Sequence, residues 1–210
     1  MSAAHRTVLF DYGGVLTTPL APSFAAFEAA HGIDRGRCFE LLVAASRGND
    51  GGLIGALERG EVEADDFEAR LRTLLVDAGH RPPADVHLLD GLFGGVDLEE
   101  GTWQLASEVR AAGATTGLLS NSWGLGIYPW DRVDTHFDLT VISGQVGLRK
   151  PDPAIYRLAL ERSGGDAADC LFIDDLPANL EVARELGMRT IHHTGEVAPT
   201  AAAVREFLAA

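Results

Sequence analysis

Thr7-Val8-Leu9-Phe10-Asp11-Tyr12-Gly13-Gly14-Val15-Leu16-Thr17 is the stretch whose reading decides the fold. It opens on an apolar run too short for a helix of its own, followed by one carboxylate and two glycines. A run of that kind, closed by Gly, reads as a buried parallel strand and the turn after it. In an open α/β sheet, ligands bind outside the carboxyl ends of the strands. Asp11 then stands at that edge, and Gly13-Gly14 lets backbone approach a ligand closely. Taken alone, the same letters more often mark a plain turn, so the choice falls to the rest of the chain.

The 210 residues, nearly half of them apolar, suffice for a sizeable core and for one domain, with or without an insertion. A formal charge of −14 sets the field against nucleic acid and anionic membranes, so neither is expected as a partner. No apolar run approaches the ~18 residues that suggest a membrane span. Asp11 interrupts the only early apolar run, so no signal peptide is expected. Cys38 and Cys170 are far apart and fit no metal pattern; two thiols in a reducing cytoplasm are the expectation. The seven histidines show no ligand spacing, and His192-His193 faces both ways from a strand end.

Pro19 and Pro22 break the opening pattern, and helix signals dominate from about Ser23 to about Asp97. Phe24 and Phe27 share a face, as do Phe39, Leu42 and Val43, and then Leu53, Ile54 and Leu57. Phe67, Leu71, Leu74 and Leu75 give an amphipathic helix, with Asp65 and Asp66 as N-caps or first-turn acids. Asn49-Asp50-Gly51-Gly52 and Glu58-Arg59-Gly60-Glu61 read as turns, and Arg81-Pro82-Pro83 as the end of the last long helix.

From about Gly101 helix and strand alternate. Leu105, Val109 and Ala112 line a helix closed by Gly113; Thr115 to Leu119 is a strand ending at Ser120-Asn121; Phe137 to Ser143 is another. A helix follows Pro153, Cys170-Leu171-Phe172-Ile173 is a strand ending at Asp174-Asp175, a helix through Val182 ends at Gly187, and Thr190-Ile191-His192 is the last strand before a terminal helix. The expected fold class is α/β: a parallel sheet flanked by helices, residues 1–18 and 99–210, with an all-helical unit, residues 19–98, inserted after the first strand.

Polar groups then sit at several strand ends: Asp11, Ser120-Asn121 and Asp174-Asp175, with Lys150 just before a helix in Gly147-Leu148-Arg149-Lys150-Pro151-Asp152-Pro153. Singly, these are a turn, a helix cap and a surface lysine. Jointly, at one edge of a parallel sheet, three carboxylates, an ammonium and a hydroxyl make a site for a divalent cation and an anion.

In this order, the residues resemble the haloacid dehalogenase-like hydrolase superfamily, of the helical-cap type, over the whole chain. That family opens on a strand followed by Asp-x-Asp-Gly-Thr/Val, here Asp11-Tyr12-Gly13-Gly14-Val15; its later motifs match Ser120, Lys150-Pro151 and Asp174-Asp175 with Asn179 following. The Gly13-Gly14-Val15-Leu16 segment also resembles the N-terminal phosphatase domain of bifunctional epoxide hydrolases and some sugar-phosphate phosphatases. The resemblance implies a Rossmann-like core under a helical cap, and a phosphomonoesterase acting on a small phosphorylated metabolite. Asp11 would be the nucleophile, forming an aspartyl-phosphate. Mg²⁺ would sit on Asp11, the Gly13 carbonyl and Asp175, with Asp174 ligating directly or through water. Lys150 would hold Asp11 ionised, and Ser120 and the Asn121 N–H would donate to the phosphoryl group.

Gly13 departs from the pattern. The family's phosphatases usually carry there an Asp that protonates the leaving oxygen and later activates water. Glu58, Glu61, Asp50 and His31 are the candidates for a substitute. The alternatives are a 2-haloacid dehalogenase-like hydrolase using Asp11, or a catalytically weak binding or regulatory protein on the same fold. Metal-free dehalogenases of the superfamily typically carry Tyr two residues after the nucleophile and Ser/Asn in place of the later acids. Asp174 and Asp175 are both kept, which argues for Mg²⁺ and phosphate. The loop Trp123 to Trp130 is rich in aromatics and reads either as pocket lining or as packing. No signal separates monomer from homodimer.

Overall fold

The computed structural model describes residues 6–45 and 51–210; Asn49 and Asp50 of the first expected turn lie outside that range. Among the described residues, β1 (Thr7–Phe10) comes first, followed by α1 (Leu20–Ala30), α2 (Arg37–Ala45), α3 (Gly52–Glu58), α4 (Ala64–Asp77) and α5 (Leu88–Phe93). Then come α6 (Glu100–Ala111), β2 (Thr115–Ser120), α7 (Trp130–His136), β3 (Leu139–Ile142), α8 (Ser143–Val146) and α9 (Pro153–Ser163). The last elements are β4 (Cys170–Asp174), α10 (Pro177–Glu185), β5 (Arg189–His192) and α11 (Val197–Ala209).

All four strand pairings are parallel, and the sheet runs β3-β2-β1-β4-β5. Side chains alternate across a strand, so successive residues enter different layers. Val8, Phe10, Leu118, Leu171 and Ile173 join one apolar cluster with α6, α7 and α11. Leu9, Leu119, Val141, Cys170 and Phe172 join another with α9 and α10. Burial on both faces explains why β1 reads as an unbroken apolar run. Because every strand points the same way, Asp11, Ser120 and Asp174 end on one edge.

Helices α1–α5 have a separate core: Phe24, Phe27, Leu42, Leu57, Phe67 and Leu71 are among its buried members. This inserted unit leaves and returns at one place. Thr17 bridges Leu98, the Thr18 N–H donates to Asp97 at 2.8 Å, and the Glu99 N–H donates to Leu16 at 2.9 Å.

Several local expectations shift. On α2, Cys38 and Leu42 are buried, whereas Phe39 and Val43 are 58% and 43% exposed. One residue along a helix turns by ~100°, so a face led by Cys38 excludes its neighbour. The long helix α4 ends at Asp77 rather than at Pro82-Pro83: Gly79 takes φ +90°, and the His80 N–H closes on the Leu75 carbonyl at 2.9 Å. Asp65 and Asp66 lie in its first turn, and the N-cap position is Glu63. β3 starts at Leu139 and stops at Ile142, because Ser143 opens α8. Among the described residues, no helix is long and apolar enough to cross a membrane.

Candidate active site

Asp11 continues β1 by one residue: its N–H donates to the Ile173 carbonyl at 2.9 Å. The chain then turns back sharply. The Leu16 and Thr17 N–H groups both donate to Tyr12, at 2.9 and 3.1 Å, and the Gly14 N–H donates to Thr17 Oγ1 at 3.1 Å. Gly14 has φ +72°, and a Cβ there would lie 2.5 Å from Asp175 Oδ2. Only glycine meets both demands. Gly14→Ala is expected to cost at least ~1–2 kcal/mol from the left-handed backbone alone, and to displace Asp175. A thermal melt unchanged from the parent protein would contradict this.

Lys150 is 1% exposed, and its Nζ lies 2.7 Å from Asp11 Oδ1 and 2.7 Å from Asp174 Oδ2. Burial opposes its charge, but Asp11 and Asp174 together outweigh burial and hold the ammonium above its ordinary range. Its backbone is clamped as well. Asn121 Oδ1 accepts the Lys150 N–H at 2.8 Å, and Asn121 Nδ2 donates to the Lys150 carbonyl at 3.0 Å. The Asn121 side chain thus grips the loop that carries the lysine.

Asp174 is fully buried. Its Oδ1 accepts the Leu176 N–H at 2.7 Å, and Asn179 Nδ2 reaches both carboxylate oxygens at 3.0 Å. Asp175 is half-buried, and its backbone carbonyl meets His192 Nε2 at 3.0 Å. One oxygen from each of Asp11, Asp174 and Asp175 lies within 4.8 Å of the others. Burial pushes the Asp11 carboxyl well above the usual carboxylate range; Lys150 pulls against this, and Asp174 and Asp175 add to it. Asp175 is pushed up to about 6 by burial and by Asp174. Lys150 alone therefore does not offset burial and two neighbouring carboxylates. The cluster is short of positive charge, and its donors are hard oxygens, the donor set that suits Mg²⁺.

At the end of β2, the Ser120 hydroxyl is 2.9 Å from Tyr128 Oη and 3.3 Å from the Asn121 carbonyl. Tyr128 in turn packs on Tyr12, with centroids 4.7 Å apart. The rings of the aromatic loop rest on neighbouring rings. Trp123 lies among Phe24, Phe67 and Phe93 of the inserted helices, and Trp130 sits on Tyr128. One core loop thus plugs the inserted unit through Trp123.

The haloacid dehalogenase-like hydrolase family matches residues 5–187. The chain belongs to this family. Bifunctional epoxide hydrolase 2 of Sus scrofa is 29% identical over 203 residues, which is 90% of this chain and 36% of the pig protein, so the chain spans about a third of that relative. A sesquiterpene phosphatase of Aspergillus oryzae is 24% identical over 207 residues, 94% of either chain. A family enzyme of Bacteroides thetaiotaomicron, solved with magnesium and inorganic phosphate, shares the fold at a TM-score of 0.63 and 24% identity, covering 89% of this chain and 92% of its own.

Of the residues weighed as substitutes at Gly13, Glu58 stands against the core. It ends α3, is buried, and its Oε2 pairs with Arg149 Nε and accepts from Asn121 Nδ2 at 3.3 Å. Its carbonyl accepts from the Ser143 hydroxyl. Burial raises the Glu58 carboxyl, against the pull of Arg149. His31 packs its ring on Phe27, Glu61 pairs with Arg59, and Asp50 lies outside the described residues. Arg149 and Tyr128 are partners that the sequence did not single out. Arg149 stands beside Lys150 with nothing local to mark it, and Tyr128 was one aromatic among several.

Proposed function

We propose that the hydrolase is a Mg²⁺-dependent phosphomonoesterase acting on a small phosphorylated metabolite through an aspartyl-phosphate on Asp11. The observation that carries this reading is the closed cluster of three carboxylates around a single buried ammonium. Such a cluster is repulsive without a cation, which weighs against the metal-free carbon–halogen reading. The likeness to a sesquiterpene phosphatase supports phosphate as the reacting group.

Asp11, the Gly13 carbonyl and Asp175 would hold the Mg²⁺, with Asp174 beside them. When bound, the ion supplies the positive charge that lets a carboxylate approach a phosphate dianion. Asp11 presents its carboxylate to phosphorus. Lys150, fixed by Asp174 and by the Asn121 clamp, holds that carboxylate in place and faces the phosphoryl charge. The Ser120 hydroxyl and the Asn121 N–H donate to phosphoryl oxygens. Helices α1–α5, as a cap spanning residues 19–98, would cover the site and select the leaving group.

p-Nitrophenyl phosphate should be hydrolysed with Mg²⁺ and not with EDTA. Halide release from 2-chloropropionate without metal, or phosphate binding without turnover, would overturn the proposal. Thermal melts give a second readout. An Asp175 carboxyl raised to about 6 holds its proton more tightly in the folded metal-free protein than in the unfolded chain. That contribution weakens the fold as pH rises from the ordinary carboxylate value through about 6 and is constant above it. Mg²⁺ competes for the ionised oxygens. The rise in Tm on adding MgCl2 should be clear at pH 7.5 and small at pH 5; equal rises would count against Asp175 as a ligand.

A further inference from the structure

We infer that Tyr128 is a positioning residue for the phosphoryl site: its phenol donates to the Ser120 hydroxyl and so turns the Ser120 proton toward a bound phosphoryl oxygen. The inference rests on the phosphatase reading and adds to it a group outside the carboxylate cluster, supplied by the loop after β2.

That loop delivers one phenol to the sheet edge. Gly124 takes φ +100°, in the left-handed region that favours glycine, where the chain turns away from β2. The Tyr12 hydroxyl donates to the Ile127 carbonyl at 2.9 Å, which ties the loop to the turn after Asp11. Trp130 Nε1 donates to the Leu125 carbonyl at 3.1 Å and closes the loop on itself. The Tyr128 ring rests on two others, with centroids 4.7 Å from Tyr12 and 5.6 Å from Trp130. Tyr128 is 4% exposed, and its Oη lies 2.9 Å from Ser120 Oγ. β1 and β2 are neighbours with Phe10 opposite Leu118, so Ser120 ends its strand one residue beyond the level of Asp11.

The direction of this hydrogen bond follows from the protons available. A hydroxyl has one proton to donate and two lone pairs with which to accept. Burial holds the Tyr128 phenol above its ordinary range, so it stays a neutral donor. A buried phenol proton needs an acceptor, and Ser120 Oγ is within reach. Among the described residues, Ser122 Oγ on the same turn makes no hydrogen bond and so does not compete. With Tyr128 donating, Ser120 keeps its own proton for another acceptor. In the structure that acceptor is the Asn121 carbonyl at 3.3 Å, long for a bond between two oxygens. A phosphoryl oxygen beyond the end of β2 is a charged acceptor, and charge-assisted bonds are shorter and stronger. Donation by Tyr128 polarises the Ser120 O–H further, because linked hydrogen bonds strengthen one another. Without the phenol, the Ser120 hydroxyl is free to settle on the Asn121 carbonyl.

The test uses the full chain with Mg²⁺ and compares the parent, Tyr128→Phe, Ser120→Ala and the double variant. It reads hydrolysis of p-nitrophenyl phosphate, inhibition by inorganic phosphate, and thermal melts. Tyr128→Phe keeps the ring and its contacts, so its Tm should stay near the parent's. Its kcat/KM should fall about tenfold, the scale of one hydrogen bond, and inhibition by phosphate should weaken. Ser120→Ala should cost about 10²-fold, as when one donor to a developing charge is removed. Added to Ser120→Ala, Tyr128→Phe should cost nothing more, because its effect passes through the serine. Parent-like kinetics in folded Tyr128→Phe overturns the inference, and so does a further tenfold loss in the double variant. A Tyr128→Phe protein that does not fold gives the phenol to the fold alone and overturns it as well. Each of these outcomes leaves the phosphatase reading standing, whereas no hydrolysis by the parent protein overturns both.

Discussion

Asp11→Asn is expected to lower phosphate hydrolysis by roughly 10⁴-fold or more, the scale on which losing a nucleophile is felt, while leaving the metal-free protein at least as stable as its parent. The two halves have one cause. Asp11 is buried with two other carboxylates and a single ammonium, so its charge is a burden on the empty fold. Asn keeps the shape and relieves the repulsion, and Lys150 retains Asp174. Activity in the presence of Mg²⁺ and a thermal melt in EDTA measure the halves separately. Retained turnover would remove Asp11 from the chemistry, and a sharply lower Tm in EDTA would mean that its pairing with Lys150 outweighs the repulsion.

Lys150→Met is expected to abolish turnover and also to destabilise the fold, on the order of 3–5 kcal/mol, as when one partner of a buried ion pair is removed. For a chain of this length that corresponds to a fall in Tm of roughly 10 °C. Met fills much of the stem's volume, so the loss comes from charge: Asp11 and Asp174 are left facing each other without the ammonium 2.7 Å from each. The sign of the pH dependence separates charge from packing. Acid protonates Asp11, whose carboxyl burial already pushes up, and removes the repulsion, so the deficit should shrink as pH falls and grow as it rises. Mg²⁺ should restore part of the lost stability. A deficit equal at pH 5 and pH 8 would instead point to the packing of the lysine against the Phe172 ring, whose centroid lies 5.2 Å from Nζ.

Much of the fold was legible because parallel strands buried on both faces and amphipathic helices each leave a local trace. Val8-Leu9-Phe10 and Leu171-Phe172-Ile173 read as strands because both of their faces meet apolar layers. Phe67, Leu71 and Leu75 read as a helix because one stripe enters a core. Where two local readings compete, the letters decide less. Phe39 and Val43 carry the helical spacing as well as Cys38 and Leu42 do, and packing against the other inserted helices selected the second pair. Pro82-Pro83 is a strong stop, yet Gly79 ended α4 first.

The sequence by itself determined the order of chemistry-bearing residues, Asp11, Ser120, Lys150 and Asp174-Asp175, and the alternation of strand and helix that brings their ends to one edge. It also placed a glycine two residues after Asp11, and that absence needs no coordinates to be seen. Only the tertiary structure decided what each group touches. Asn121 became the clamp on Lys150, Glu58 crossed from the inserted helices to Arg149, and Trp123 of the aromatic loop met Phe67. The tertiary structure also separated two adjacent glycines: Gly14 is forced by its backbone and by Asp175, whereas Gly13 stands beside open space. The physical reason is range. Periodicity and backbone preference act over a few residues, whereas an ion pair or a steric gap joins residues distant in sequence, and its energy exists only once the fold has brought them together.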